Sequence, residues 1–155
     1  MTLLAALFSR LCLVALFFPF SALDKILNHK QAVAQASEAA RSPAIAQALI
    51  ATGLGVEAFM SIGVLTGIAD RLCAFVLAGY CMVTALLWKR FWAKPDFRLR
   101  GQSAGRDTFW DFLKNFAVAG GFLILAFGPT GAGWRDLLDH PLGSTHPYSQ
   151  PGGRT

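Results

Sequence analysis

Four runs of apolar residues divide the chain, at residues 3–23, 44–68, 72–88 and 109–127, and polar segments separate them. Each run is close to twenty residues long. A helix rises about 1.5 Å per residue, so each run spans roughly 30 Å, the thickness of a bilayer's hydrocarbon layer. The pattern predicts an all-α, polytopic membrane protein. Its four-transmembrane-helix bundle occupies residues 1–129, and residues 130–155 form a polar tail.

Local signals mark where the elements begin and end. A cleaved signal peptide fits the first run poorly, because no Lys or Arg precedes Arg10 and Phe20-Ser21-Ala22 is a poor cleavage site. Pro19 is expected to kink that helix in its last turn. Residues 24–41 are polar but rich in helix formers, and Ile26, Leu27 and Val33 suggest a short helix lying at the interface. Ser42-Pro43 reads as an N-cap followed by proline in the first turn. Gly53, Gly55, Gly63 and Gly67 make the second span one that neighbours can approach closely. Gly67 is placed near its end, with Asp70-Arg71 in a very short turn. The third span, free of ionisable residues, is expected to offer more of its surface to lipid or to a partner. Lys94-Pro95 breaks the loop that follows. Thr108-x-x-Asp111 resembles a capping box for the fourth span, and Gly128-Pro129 stops it. The tail has too few apolar residues for a core and is expected to be extended unless a partner covers it.

Composition agrees with lipid as the solvent: 54% of residues are hydrophobic and 15% charged, against about 25% charged in a soluble domain. The net charge of +5 does not point to nucleic acid, because Lys89, Arg90, Lys94, Arg98, Arg100 and Arg106 crowd into one inter-helix segment. Together with Lys25, Lys30 and Arg41, the first and third loops carry nine cations, while Arg71, Arg135 and Arg154 lie on the other side. The positive-inside rule puts both loops in the cytoplasm and both termini outside, in a bacterial-type inner membrane. Trp88 and Trp92, with Trp110 across the loop, read as an aromatic belt on the cytoplasmic side, and Trp134 as an anchor on the other.

Candidate chemistry is sparse. The chain has no P-loop, no G-x-S-x-G and no H-E-x-x-H motif. Cys12, Cys73 and Cys81 form no C-x-x-C pair and read as small buried hydrophobes. His29, His140 and His146 all lie outside the spans, so no metal site and no intrinsic haem is expected. What remains is Arg10, Glu57 and Lys114, each costly if left unpaired in hydrocarbon. Lys114 is one turn from Trp110 and can snorkel to the interface. Glu57 sits mid-span. Counting 1.5 Å per residue puts Arg10 roughly 10 Å and Glu57 roughly 16 Å below the outer surface. A buried Arg10–Glu57 pair is therefore expected, and it can serve helix packing alone.

The order of these residues resembles the DoxX family. Arg10, Lys25 after the first span, Gly55-Val56-Glu57-Ala58-Phe59, and Gly63-Val64-Leu65-Thr66-Gly67 carry the likeness. Lys114-Asn115 and Gly120-Gly121 extend it into the fourth span, so that it covers roughly residues 4–128. Ala22 stands where the family often has glycine, and the tail falls outside the pattern. The resemblance implies a four-helix membrane fold. It also implies an accessory subunit of a larger membrane redox or bioenergetic complex, contributing helix contacts rather than catalysis. A quinone-interacting subunit of a thiosulfate:quinone or quinol oxidoreductase is the alternative, with Arg10 and Glu57 at the site; a small transporter is the third. The expected partners are the bilayer and other membrane subunits, and the expected bound molecules, beyond no intrinsic cofactor, are quinone or lipid.

Overall fold

Every regular element among the described residues is helical. The computed structural model describes residues 3–38, 40, 42–128 and 134–148; Arg41, Pro129 and tail positions 130–133 and 149–155, which enter the sequence reading, lie outside them. The elements are α1 (Leu3–Ala15), a π-helical segment (Leu16–Ser21), α2 (Ala22–Leu27), α3 (His29–Ser37), α4 (Pro43–Thr66), α5 (Asp70–Trp88), a 3₁₀ turn (Phe91–Ala93), α6 (Ala104–Phe127) and α7 (Trp134–Asp139). Four stretches are long and apolar enough to cross a membrane: Leu3–Leu27, Pro43–Thr66, Asp70–Ala93 and Ala104–Phe127. Large apolar side chains such as Leu4, Phe8, Phe59 and Ile124 point outward from them, an exposure that only lipid would tolerate on this scale. The chain is a membrane protein with a four-helix bundle.

Several helix boundaries follow the local signals. Ser42 caps α4, its Oγ accepting from the Ile45 N–H at 3.3 Å, and Gly67 ends it in the left-handed region at φ 78°, where a residue without Cβ is unstrained. The first span breaks at Phe18, which is extended (φ −130°, ψ 120°) ahead of Pro19, because proline disfavours helical geometry in the residue before it. Helical structure then resumes in α2, which belongs to the first candidate span, and α3 follows after Asn28, so the segment expected to hold one short helix is divided between them.

The fourth span starts five residues earlier than the pattern suggested. Ser103, not Thr108, caps α6: its Oγ accepts from the Arg106 N–H at 3.2 Å. The Asp96 carboxylate accepts from the Gly105 N–H, and a Cβ at Gly105 would stand 2.7 Å from the Phe97 backbone. Thr108 instead bonds back to the Ala104 carbonyl, and Asp111 pairs with Lys89 at 3.2 Å. The basic loop is held down by packed rings, Phe91 contacting Trp92, Phe97, Phe109 and Phe112.

The expectation for the third span is reversed. Of the four spans, α5 belongs to the most buried, at 33% of its apolar window against 17–22% for the others. Ala74, Ala78, Cys81 and Ala85 are all buried and recur every three or four residues along one face, so small side chains let neighbouring backbones come close. Gly63 of α4 packs directly on the Cys73 sulfur. Val14, Val64, Leu77 and Phe122 fill the centre. Asp70 and Arg71 are not turn residues: they form the first turn of α5 and are buried. Cys73 and Cys81 are buried as expected, whereas Cys12 is exposed.

The described part of the tail also departs from expectation, because the bundle itself holds it. Trp134 packs against Phe75 and Phe127. Asp136 pairs with Arg71 at 2.6 Å, and Arg71 Nε also donates to the Ala126 carbonyl near the end of α6. Thr145 bonds to Asp70, and the Tyr148 hydroxyl donates to the Leu65 carbonyl. The tail needs no apolar core of its own, since the Leu65 carbonyl near the end of α4, Asp70 and Arg71 in the first turn of α5, and the Phe75 and Phe127 rings provide its partners.

Candidate functional site

Two buried polar clusters lie at different depths of the bundle, one around Glu57 within α4 and one where α4 ends and α5 begins. The break at Phe18 and the continuation into α2 bring Ser21 and Lys25, four residues apart, onto one face toward α4. There Lys25 Nζ meets Glu57 Oε1 at 2.5 Å and Ser21 Oγ at 2.7 Å. Ser21 Oγ donates to the same carboxylate oxygen at 3.1 Å, and the Tyr80 hydroxyl donates to it at 2.9 Å from α5. Gly53, one turn before Glu57, makes the last contact possible: a Cβ there would stand 3.0 Å from the Tyr80 hydroxyl oxygen.

This cluster lies on a cavity of about 570 Å³. Leu16, Phe17, Ile50, Val83 and Leu87 supply apolar wall, and Gln31 and Gln35 of α3 and Asn115 of α6 add amides. The Glu57 side chain is 2% exposed and that of Lys25 20%, so the carboxylate is inside while its cationic partner is partly exposed. Glu57 Oε2 is buried and has no hydrogen-bond partner among the described residues. A buried polar atom without a partner costs free energy, which a ligand or water reaching it would recover. Trp88, another lining residue, donates its indole N–H to the Gln35 carbonyl at 3.0 Å and so ties α5 to α3.

The second cluster is built on Arg10. Its guanidinium donates to the Val64 carbonyl at 2.5 Å, Asp70 Oδ2 at 2.6 Å and Thr145 Oγ1 at 2.8 Å. Asp70 also accepts from the Thr145 backbone N–H at 2.9 Å and from its hydroxyl. The expected Arg10–Glu57 pair is therefore replaced by two separate pairs, Arg10–Asp70 and Lys25–Glu57. Depth counting failed because it treated Asp70 as a solvated turn residue and Lys25 as a loop anchor. A tail covering Asp70 and a helix carrying Lys25 inward change both environments.

Other predicted positions separate from this chemistry. Lys114 is exposed and pairs with Asp111 one turn away at 3.4 Å, consistent with a side chain at the interface. Trp110 is half-exposed and touches Phe109. Ser21, Tyr80, Asp70 and Thr145 were not singled out from the sequence. Tyr80 was hidden in a span without charges, and a search confined to charged groups passes over a hydroxyl. Among the described residues no three His, Cys, Asp or Glu side chains come together as a metal-ligating group.

The sequence profile of the DoxX family matches residues 5–90, more than half of the chain. The chain belongs to the DoxX family. No curated protein and no solved structure matches it. The matched DoxX region contains Arg10, Ser21, Lys25, Glu57, Asp70 and Tyr80. Thr145 lies beyond it, as do Lys114-Asn115 and Gly120-Gly121, which carried the sequence resemblance in the fourth span.

Proposed function

We propose that this DoxX protein is a membrane-embedded subunit of a larger redox complex, and that its bundle provides a binding site for a quinone-class ligand. The observation that carries this reading is the cavity with its apolar wall ending on Lys25, Glu57 and Tyr80. A quinone head group is a flat apolar ring with polar oxygens on its rim. A cavity in the usual size range for small ligands, with a few convergent polar groups, suits such a molecule. When bound, the ligand would carry electrons to or from a partner subunit, while this chain's residues would orient its oxygens and shield its ring from water. A subunit that contributes only helix contacts explains the bundle, but it leaves unexplained a cavity lined by an ion-paired carboxylate with one free oxygen.

The test is equilibrium binding of a short-chain ubiquinone to the purified full-length protein in mild detergent, followed by quenching of tryptophan fluorescence, since Trp88 lines the cavity. Saturable quenching is expected. Ala32→Phe, which fills the cavity from α3 without adding an indole to the signal, should weaken it at least about tenfold. Linear, unsaturable quenching in the unmodified protein would end the proposal.

The charge count also leads us to propose a bacterial-type inner membrane with the first and third loops in the cytoplasm. The cavity, flanked by Asp24, Lys25 and Lys89, would then lie toward the cytoplasmic side, and the Arg10–Asp70 cluster toward the outside. Reporter fusions should give a cytoplasmic signal at Gly101 and an external one at Thr155; the opposite pattern would invert the orientation.

A further inference from the structure

We infer that the cavity recognises the hydroxyl-bearing, reduced form of its ligand in preference to the carbonyl form. This deepens the proposed function and rests on it. The argument is an inventory of donors and acceptors around Glu57. Its Oε1 receives three donors: the Lys25 ammonium, the Ser21 hydroxyl and the Tyr80 hydroxyl. Its Oε2 receives none among the described residues and is buried. A carboxylate paired with an ammonium accepts hydrogen bonds and has none to give. Whatever satisfies Oε2 must therefore bring an O–H or N–H of its own.

The neighbouring groups strengthen the selection. The Tyr80 and Ser21 hydroxyl protons are committed to Oε1, which leaves oxygen lone pairs on both. Lys25 has three N–H donors, of which one goes to Ser21 and one to Glu57. Its third N–H remains for a ligand. A phenolic oxygen can use both opportunities, donating to Oε2 while accepting from Lys25. A quinone carbonyl can only accept, and it would seal the cavity with Oε2 still unpaired. Losing a partner for a buried charged acceptor is the costlier outcome, because the carboxylate has already been removed from water.

The experiment compares decylubiquinol with decylubiquinone on the full-length protein under anaerobic conditions, read by tryptophan quenching. A decyl-substituted phenol and its methyl ether serve as a second pair that cannot change redox state. The quinol and the phenol are each expected to bind about tenfold or more tightly than their counterparts, the size of effect expected for one hydrogen bond to a charged acceptor. Glu57→Gln should cancel or reverse the preference, since its carbonyl can take the three donors while its NH₂ occupies the place of Oε2. If that variant does not fold, the phenol–ether pair on the unmodified protein still decides the matter. Equal affinities, or tighter binding of the quinone and the ether, would overturn the inference and leave the proposed function standing. Failure of all four probes to bind would remove the proposed function and the inference with it.

Discussion

Arg10→Leu should be among the most damaging single changes in the bundle, lowering stability by about 3–5 kcal/mol. The substitution removes the cation that faces Asp70, whose side chain is only 1% exposed. Asp70 would keep the two Thr145 donors but lose its counter-charge in a setting where water cannot replace it. Asp70→Leu should cost a similar amount by leaving the guanidinium without a counter-charge, with only the neutral Val64 carbonyl and Thr145 hydroxyl to accept from it. The double change Arg10→Leu/Asp70→Leu should recover a large part of the loss, since an apolar pair in place of a buried ion pair is often neutral. Thermal melting in mild detergent, arranged as a double-mutant cycle, measures the coupling. Strict additivity of the two losses would show that the pair contributes nothing jointly. By contrast, Arg10→Leu and Glu57→Gln share no partner and should add.

In the Lys25–Glu57 pair the two members should respond unequally. Lys25→Met leaves a carboxylate that is 2% exposed without its cation, and a loss of about 3 kcal/mol or more is expected. Glu57→Gln should be milder by at least about 1 kcal/mol. The amide oxygen can still accept from Ser21, Tyr80 and Lys25, and Lys25, at 20% exposure, can also extend its stem toward water. The asymmetry follows from burial: the cation has an escape and the anion has none. Melting temperatures of the two variants, compared in the same detergent, check the rank order. A Glu57→Gln variant less stable than Lys25→Met would mean that the carboxylate is the better-solvated partner.

These two pairs show where reading the chain alone stops. The need for partners was legible, because Arg10 and Glu57 are ionisable groups inside apolar runs and hydrocarbon does not tolerate them singly. Which partners they take was not. The assignment depended on whether Asp70 and Lys25 are wet or dry, and neither environment is set by its sequence neighbours. Asp70 becomes buried at the start of α5, where residues about seventy-five positions later in the chain supply Thr145. Lys25 turns inward because helical structure resumes after the break at Phe18, where a loop had been one reading. The third span was misjudged for a related reason. Absence of charge does not distinguish a lipid-facing helix from a central one, whereas the run of Ala and Cys at three- and four-residue spacing is the local sign of close contact.

What the sequence determined by itself is everything governed by local periodicity and by transfer to lipid: four spans, their approximate ends, the Ser42 cap, the left-handed stop at Gly67 and the break at Pro19. Those features depend on residues within a few turns of one another, or on the average polarity of a window. Only the tertiary structure decided the two ion pairs, the central place of α5, the docked tail, and the cavity with its unpaired carboxylate oxygen. Each of these depends on which distant side chains exclude water from a given point, and hydrophobic periodicity carries no information about distant pairing.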